Sequence, residues 1–228
     1  MRAWAIPPKA DAAFAAAMER VLAAYAAPYD PAYPVVCLDE RPCVLRAEAR
    51  AGLPVRPGGD ATRDCEYVRG GTACLTCAFE PARAWRRTWV EPRRRAVDFA
   101  AIVRELLDVD YADAARVRLV CDNLNTHAEA SLYAAFAPAE ARRLCGRLEF
   151  VHTPVHGSWL NMVECEFAVF VRECLGGGAR AIASVEVLRA EAAAWAARRN
   201  RAGGTVAWEL DPEAARVRLG RLYPSVVA

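Results

Sequence analysis

Between Asp11 and Ala27 the apolar positions Phe14, Met18, Val21, Leu22 and Tyr25 recur at three-to-four spacing, which predicts an amphipathic helix capped near Asp11. Pro28, Pro31 and Pro34 end it. Val35 to Leu38 then reads as a short buried strand, with Pro42 to Ala49 returning beside it after a tight turn at Asp39-Glu40-Arg41. Gly52 to Asp64 carries prolines, glycines and aspartates without periodicity, the pattern of a mobile loop. Three further strands are expected over Glu66–Val68, Ala73–Phe79 and Ala84–Val90, the first two joined at Gly70-Gly71.

The second half alternates. Helical spacing of Val97, Ala100, Val103, Leu106 and Leu107 predicts a helix over Ala96–Leu107, followed by a buried strand over Val117–Cys121. Short helices over Ala128–Phe136 and Pro138–Cys145 lead to a strand at Leu148–Val151. After the His152–Gly157 loop, Ser158 is placed to cap a helix from Trp159 to about Leu175, which Gly176-Gly177-Gly178 stops. A helix over Ser184–Arg201, a strand candidate at Thr205–Leu210 and a last helix over Asp211–Leu222 complete the chain. A run of strands followed by alternating helix and strand predicts an α/β fold with a mixed central sheet flanked by helices.

Composition narrows this. A chain of 228 residues, 55% hydrophobic, can bury one substantial core, so one main domain with appendages is expected. No apolar run is long enough to span a bilayer, and the first residues lack the apolar centre of a secretory signal, so a soluble, cytoplasmic protein without membrane contact is expected. Nine scattered cysteines do not form a disulfide framework, and Cys74-Leu75-Thr76-Cys77, with no second ligand pair, is read as buried small hydrophobes in a strand. Lys9 is the only lysine, so the formal net charge of +2 rests on an arginine-dominated palette. Such usage fits GC-rich coding and weakens any inference from a single arginine.

Three acids change the picture. Asp39 ends the apolar run Val35–Leu38, Asp122 ends Leu119-Val120-Cys121, and Glu164 follows Trp159–Val163. Singly, each has an ordinary explanation as a turn residue or an exposed helix charge. Together they offer hard oxygen ligands from different elements, which suits divalent ions. Two such ions, roughly 3.5–4 Å apart, serve phosphodiester cleavage by activating an oxygen nucleophile and stabilising the leaving oxygen. Asp122-Asn123-Leu124-Asn125-Thr126-His127 concentrates polar groups directly after a buried strand, more than turn chemistry requires. In the predicted helix Asn161 precedes Glu164 by one turn and shares its face, where its amide would orient Glu164 or a phosphate, whereas Glu166 points to the opposite side.

Leu38-Asp39-Glu40, the block Val120–His127 and the block Thr153–Glu164 resemble the three catalytic blocks of mariner-like bacterial insertion-sequence transposases, of the DDE superfamily. The resemblance covers Tyr29 to Leu175, and the tail through Trp195–Asn200 and Arg221–Pro224 is also similar. It implies an RNase H-like, retroviral-integrase-type fold and a metal-dependent transposase in which Asp39, Asp122 and Glu164 hold two Mg²⁺ or Mn²⁺ ions. Asn123, Asn125, His127, His156 and Asn161 would support them. Met162 stands where a proline is usual in mariner proper, the gap from Asp122 to Glu164 is longer than common, and Glu166 is the alternative third ligand. The resemblance divides the chain into an N-terminal helix and linker (1–28), a catalytic domain (29–180) and a C-terminal helical extension (181–228). It also implies a homodimer acting on transposon ends and target DNA. Since such transposases carry helix-turn-helix modules first, the end-binding region is expected to be missing.

The densest basic stretch runs from Arg83 to Arg95 and interleaves Trp85 and Trp89. Arg86, Arg87, Arg93, Arg94 and Arg95 are candidate phosphate contacts, with a solvated sheet face as the competing explanation. The expected function is DNA strand cleavage and strand transfer. A nuclease without strand transfer and a non-enzymatic DNA-binding or dimerising remnant are the alternatives.

Overall fold

The computed structural model describes residues 11–50, 57, 66–178, 180–203 and 208–224. Five strands form one mixed sheet in the order β3-β2-β1-β4-β5: β1 (Val35–Glu48), β2 (Tyr67–Glu80), β3 (Trp85–Glu91), β4 (Val117–Cys121) and β5 (Leu148–His152). The first three are antiparallel neighbours, while β4 and β5 run parallel to β1. This is the RNase H-like α/β arrangement.

Helices cover both faces. Strand alternation sends Cys37 of β1 and Leu75, Cys77 and Phe79 of β2 into a core shared with α1 (Ala12–Ala26), α5 (Val163–Cys174), α6 (Val185–Ala202) and α7 (Pro212–Arg218). Val36, Leu38 and Ala78 turn to the other face, against α2 (Ala96–Glu105), α3 (Glu129–Ala135) and α4 (Pro138–Gly146). Burial on both faces explains why the sheet centre reads as near-continuous apolar runs. α1 begins as expected, with the Asp11 carboxylate accepting from the amides of Ala13 and Phe14 at 2.8 and 3.2 Å.

The free edge of β3 is closed by α6. The Asn200 side-chain amide accepts from the Arg86 N–H at 2.9 Å and donates to the Arg86 carbonyl at 2.8 Å, as a neighbouring strand would. Arg189 donates to the Val90 carbonyl at 2.7 Å. These side chains occupy backbone groups that would otherwise invite another strand.

Several expected boundaries shift. No turn interrupts β1 at Asp39-Glu40-Arg41: Asp39, Glu40 and Arg41 pair with Cys77, Thr76 and Leu75 of β2 in one continuous strand. β2 likewise runs through Gly70-Gly71, with Gly71 at positive φ beside a register shift at Leu45/Arg46, so the glycines mark a bulge instead of a hairpin turn. Ser158 does not cap the long helix. It opens a 3₁₀ turn (Ser158–Leu160), and α5 starts after Met162. The expected α2 tail becomes a π-helical turn (Leu106–Asp110). The proposed 52–64 loop lies outside the described residues apart from residue 57, and of the Thr205–Leu210 strand candidate the described part, 208–210, is not a strand. Cys74 and Cys77 are paired without a bulge between them, so three residues of strand place their thiols on opposite faces. Among the described residues no helix is long and apolar enough to cross a membrane.

Candidate active site

The parallel pair β1/β4 aligns Cys37 with Val120. Two residues further on, Asp39 keeps the parity of Cys37 on the face covered by α5, and Asp122 is the first residue past the end of β4. The first turn of α5 carries Glu164, an exposed residue at the mouth of this face. Burial above all, with the charges of Glu164 and Asp122 added, pushes the Asp39 carboxyl up to about 7, against the Glu40 amide that donates to its Oδ1 at 2.7 Å. Glu164 is raised by partial burial and by Asp122, and held down by Arg41. Asp39 thus feels the charges of both other carboxylates, and Glu164 that of Asp122.

Carboxylate oxygens are the ligand type a hard divalent ion takes, and magnesium takes one or two of them and keeps several waters. Among the described residues no three His, Cys, Asp or Glu side chains are already placed to hold a metal ion together.

Behind Asp122 lies an acidic–imidazole bridge. His127 is fully buried, with its ring 4.8 Å from that of Phe99. Its Nδ1 stands 2.5 Å from Asp122 Oδ1 and its Nε2 3.4 Å from Glu40 Oε1. Burial by itself would lower the imidazole pKa, but hydrogen bonding and attraction to Asp122 and Glu40 outweigh it and raise it to about 9. His127 is therefore a charged strut holding Asp122 to Glu40, and His152 Nε2 meets the His127 carbonyl at 2.9 Å. Replacing His127 with alanine is expected to leave the buried Glu40 carboxylate with Arg94 as its remaining ionic partner and to weaken metal affinity by about 10- to 100-fold, the usual effect of losing a ligand's supporting group. Titrating Mn²⁺ against the variant checks this, and an unchanged affinity would remove His127 from the site.

Asn161 is buried, but its amide does not reach Glu164 in the way a shared helical face predicts. It lies before α5, donating to the Leu38 carbonyl at 3.0 Å and accepting from the Val163 amide at 3.4 Å. It therefore ties the start of α5 to β1 beside Asp39. Glu166, the alternative third acid, is committed to ion pairs: 1% exposed, it pairs with Arg86 Nε at 2.9 Å and accepts from Arg199 Nη2 at 2.9 Å. Asn123 and Asn125 are exposed in the loop after β4. His156 is exposed at φ 63°, an uncommon conformation for a non-glycine residue, beside a Pro154–Gly157 turn so tight that a Cβ on Gly157 would sit 2.5 Å from Pro154 Cγ.

The basic stretch divides. Arg86 is 1% exposed and committed to Glu166, so burial takes it out of the set available to phosphate. Arg87 stacks over Trp89 and pairs with Glu105 and, at 2.9 Å, with Asp110. Arg95 pairs with Asp98 at 2.7 Å, and Arg94 reaches Glu40 at 3.5 Å. Arg93, Arg94 and Arg95 remain exposed. Two neighbours of the acids were missed in the sequence, although strand alternation carried the signal: Arg41 shares the parity of Asp39, and Glu40 has the opposite parity that faces His127.

A comparison of sequence with curated proteins found no match. In fold, the chain is similar to the Mos1 mariner paired end complex with Mn, at TM-score 0.58 and 15% identity, covering 99% of this chain and 67% of that one. It is similar also to the Mos1 strand transfer complex, at TM-score 0.52 and 18% identity, covering 92% and 57% of the two chains. A pre-cleavage Mos1 transpososome gives TM-score 0.51 and 18% identity, with 97% and 63% covered. The chain thus spans about two thirds or less of the length of these chains. The model of the DDE superfamily endonucleases matches residues 34–189, more than half of the chain and the stretch that holds all three acids, and the chain belongs to that family.

Proposed function

We propose that this chain is the catalytic part of a mariner-like DNA transposase, performing metal-dependent strand cleavage and strand transfer. The observation that carries the proposal is that Asp39 in β1, Asp122 just past the end of the parallel strand β4, and Glu164 in the first turn of α5 lie near enough for the charges of the last two to add to the burial that raises Asp39 to about 7. In this reading the three carboxylates hold two Mg²⁺ or Mn²⁺ ions. Bound there, the ions supply activation of a water or a 3′-hydroxyl and stabilisation of the leaving oxygen. Asp39 must give up its proton to serve as ligand, His127 keeps Asp122 turned toward the site, and Asn161 fixes the approach of Glu164. Arg41 moderates the negative charge, and the exposed Arg93, Arg94 and Arg95 supply phosphate contacts. The Mos1 relatives are paired-end and strand-transfer complexes, which supports DNA ends and target DNA as partners and a second copy of the chain as the working assembly.

The decisive experiment offers the chain a labelled duplex with a free 3′-hydroxyl together with a supercoiled plasmid and Mn²⁺. A transposase gives labelled open-circle plasmid, and EDTA abolishes the product. Nicked plasmid without label identifies a nuclease without strand transfer. DNA retention with neither product in Mg²⁺ or Mn²⁺ overturns the enzymatic reading.

A further inference from the structure

The carboxylate of Glu164 makes no hydrogen bond or ion pair with the described residues, so its place is set by the backbone that carries it. That backbone begins α5 without a side-chain cap, because the N-cap residue is Met162. The missing support comes from α1. The Tyr25 hydroxyl donates to the Leu160 carbonyl at 2.8 Å and accepts from the Met162 amide at 3.4 Å, bracketing Asn161 on both sides. It also stands 3.3 Å from Cys37 Sγ on β1, two residues before Asp39. Within the bracket, the Asn161 side chain bonds the Leu38 carbonyl and the Asn161 carbonyl accepts from the Glu164 amide at 3.1 Å. One hydroxyl therefore joins three segments: the helix that supplies it, the strand that carries Asp39, and the turn that launches Glu164. Tyr25 lies before residue 34, outside the stretch matched by the family model.

We infer that Tyr25 is a positioning residue of the metal site, fixing through the Leu160–Met162 backbone the distance at which Glu164 meets Asp39. The inference rests on the reading of Glu164 as a metal ligand. It places the control of the third carboxylate in the N-terminal helix, outside the matched catalytic block.

The test is a Mn²⁺ titration of thermal unfolding with the full chain, comparing Tyr25→Phe, Glu164→Gln, the double variant and Arg147→Ala. Phenylalanine keeps the ring packed against Trp208, 5.2 Å away, and deletes only the hydroxyl. Arg147 donates to the carbonyls of Leu107, Tyr111 and Ala114 in the opposite helix layer and serves as a comparison for general loosening. Tyr25→Phe is expected to raise the Mn²⁺ concentration for half-maximal stabilisation by about 10-fold, the low end for a supporting group. Arg147→Ala leaves that midpoint in place, and Tyr25→Phe adds nothing once Glu164 is glutamine. If Glu164→Gln weakens Mn²⁺ binding while Tyr25→Phe does not, the positioning role is wrong and the metal reading stands. A midpoint insensitive to Glu164→Gln sinks the metal reading itself. Equal shifts in Tyr25→Phe and Arg147→Ala, or a Tyr25→Phe shift that persists in the double variant, overturn the inference.

Discussion

Asp39→Asn and Asp122→Asn are expected to reduce metal-dependent DNA cleavage by at least about 10³-fold, since under the proposed function each removes an anionic ligand from a site whose work is charge stabilisation. Their effects on stability should differ. The folded Asp39 carboxyl, raised to about 7, binds its proton more tightly than the unfolded one at 3.8, so its contribution to stability falls as pH rises between those values. At pH 8 without metal the charged form is a burden of order 2–4 kcal/mol, which asparagine removes. Asp39→Asn should therefore unfold at higher temperature than the parent at pH 8 and at nearly the same temperature at pH 4. Mn²⁺ should narrow the gap by stabilising the parent alone. Asp122→Asn should show no such gain, because it takes from buried His127 one of its two anionic partners. Calorimetry at the two pH values, with and without Mn²⁺, decides the matter. A parent protein more stable at pH 8 than Asp39→Asn in the absence of metal would contradict the electrostatic account.

The second large effect separates two glutamates that stand two positions apart in the first turn of α5. Glu166→Ala is expected to destabilise the fold by about 3–5 kcal/mol, because it leaves the fully buried Arg86 guanidinium without its counter-charge. At this chain length that corresponds to a fall of roughly 6–20 °C in unfolding temperature. Glu164→Gln should leave metal-free stability near the parent value, since it relieves repulsion from Asp122 and breaks no bond, while abolishing cleavage. Should Glu164→Gln unfold the protein while Glu166→Ala remains folded and loses only cleavage, the two roles must be exchanged.

That pair also shows where the sequence stops being informative. Helical periodicity locates both glutamates but does not fix the rotation of α5 against the sheet, and Glu166 enters the core because Arg86 on β3 and Arg199 on α6 meet it there. For the same reason Arg86 could not be told apart from its neighbours as a phosphate contact: burial of a charge is decided by a partner that is 80 residues away in the chain or more. Polar residues at Asp39-Glu40-Arg41 resemble a turn locally, yet cross-strand pairing with Leu75–Cys77 keeps them extended. Ser158 has the chemistry of a helix cap and opens only a 3₁₀ turn, since Tyr25 and Asn161 bind the following backbone into a different path.

By itself, the sequence determined the α/β class, the apolar runs that precede Asp39 and Asp122, most of the helices and the family, because these depend on local periodicity and on short contiguous blocks. The tertiary structure alone decided that Glu166 is buried with Arg86 while Glu164 is exposed, and that the Tyr25 hydroxyl of α1 bonds the backbone before α5. Each of those outcomes depends on contacts between segments distant in the chain, where the cost of burying a charge or a backbone polar group is offset only by a partner that folding brings there.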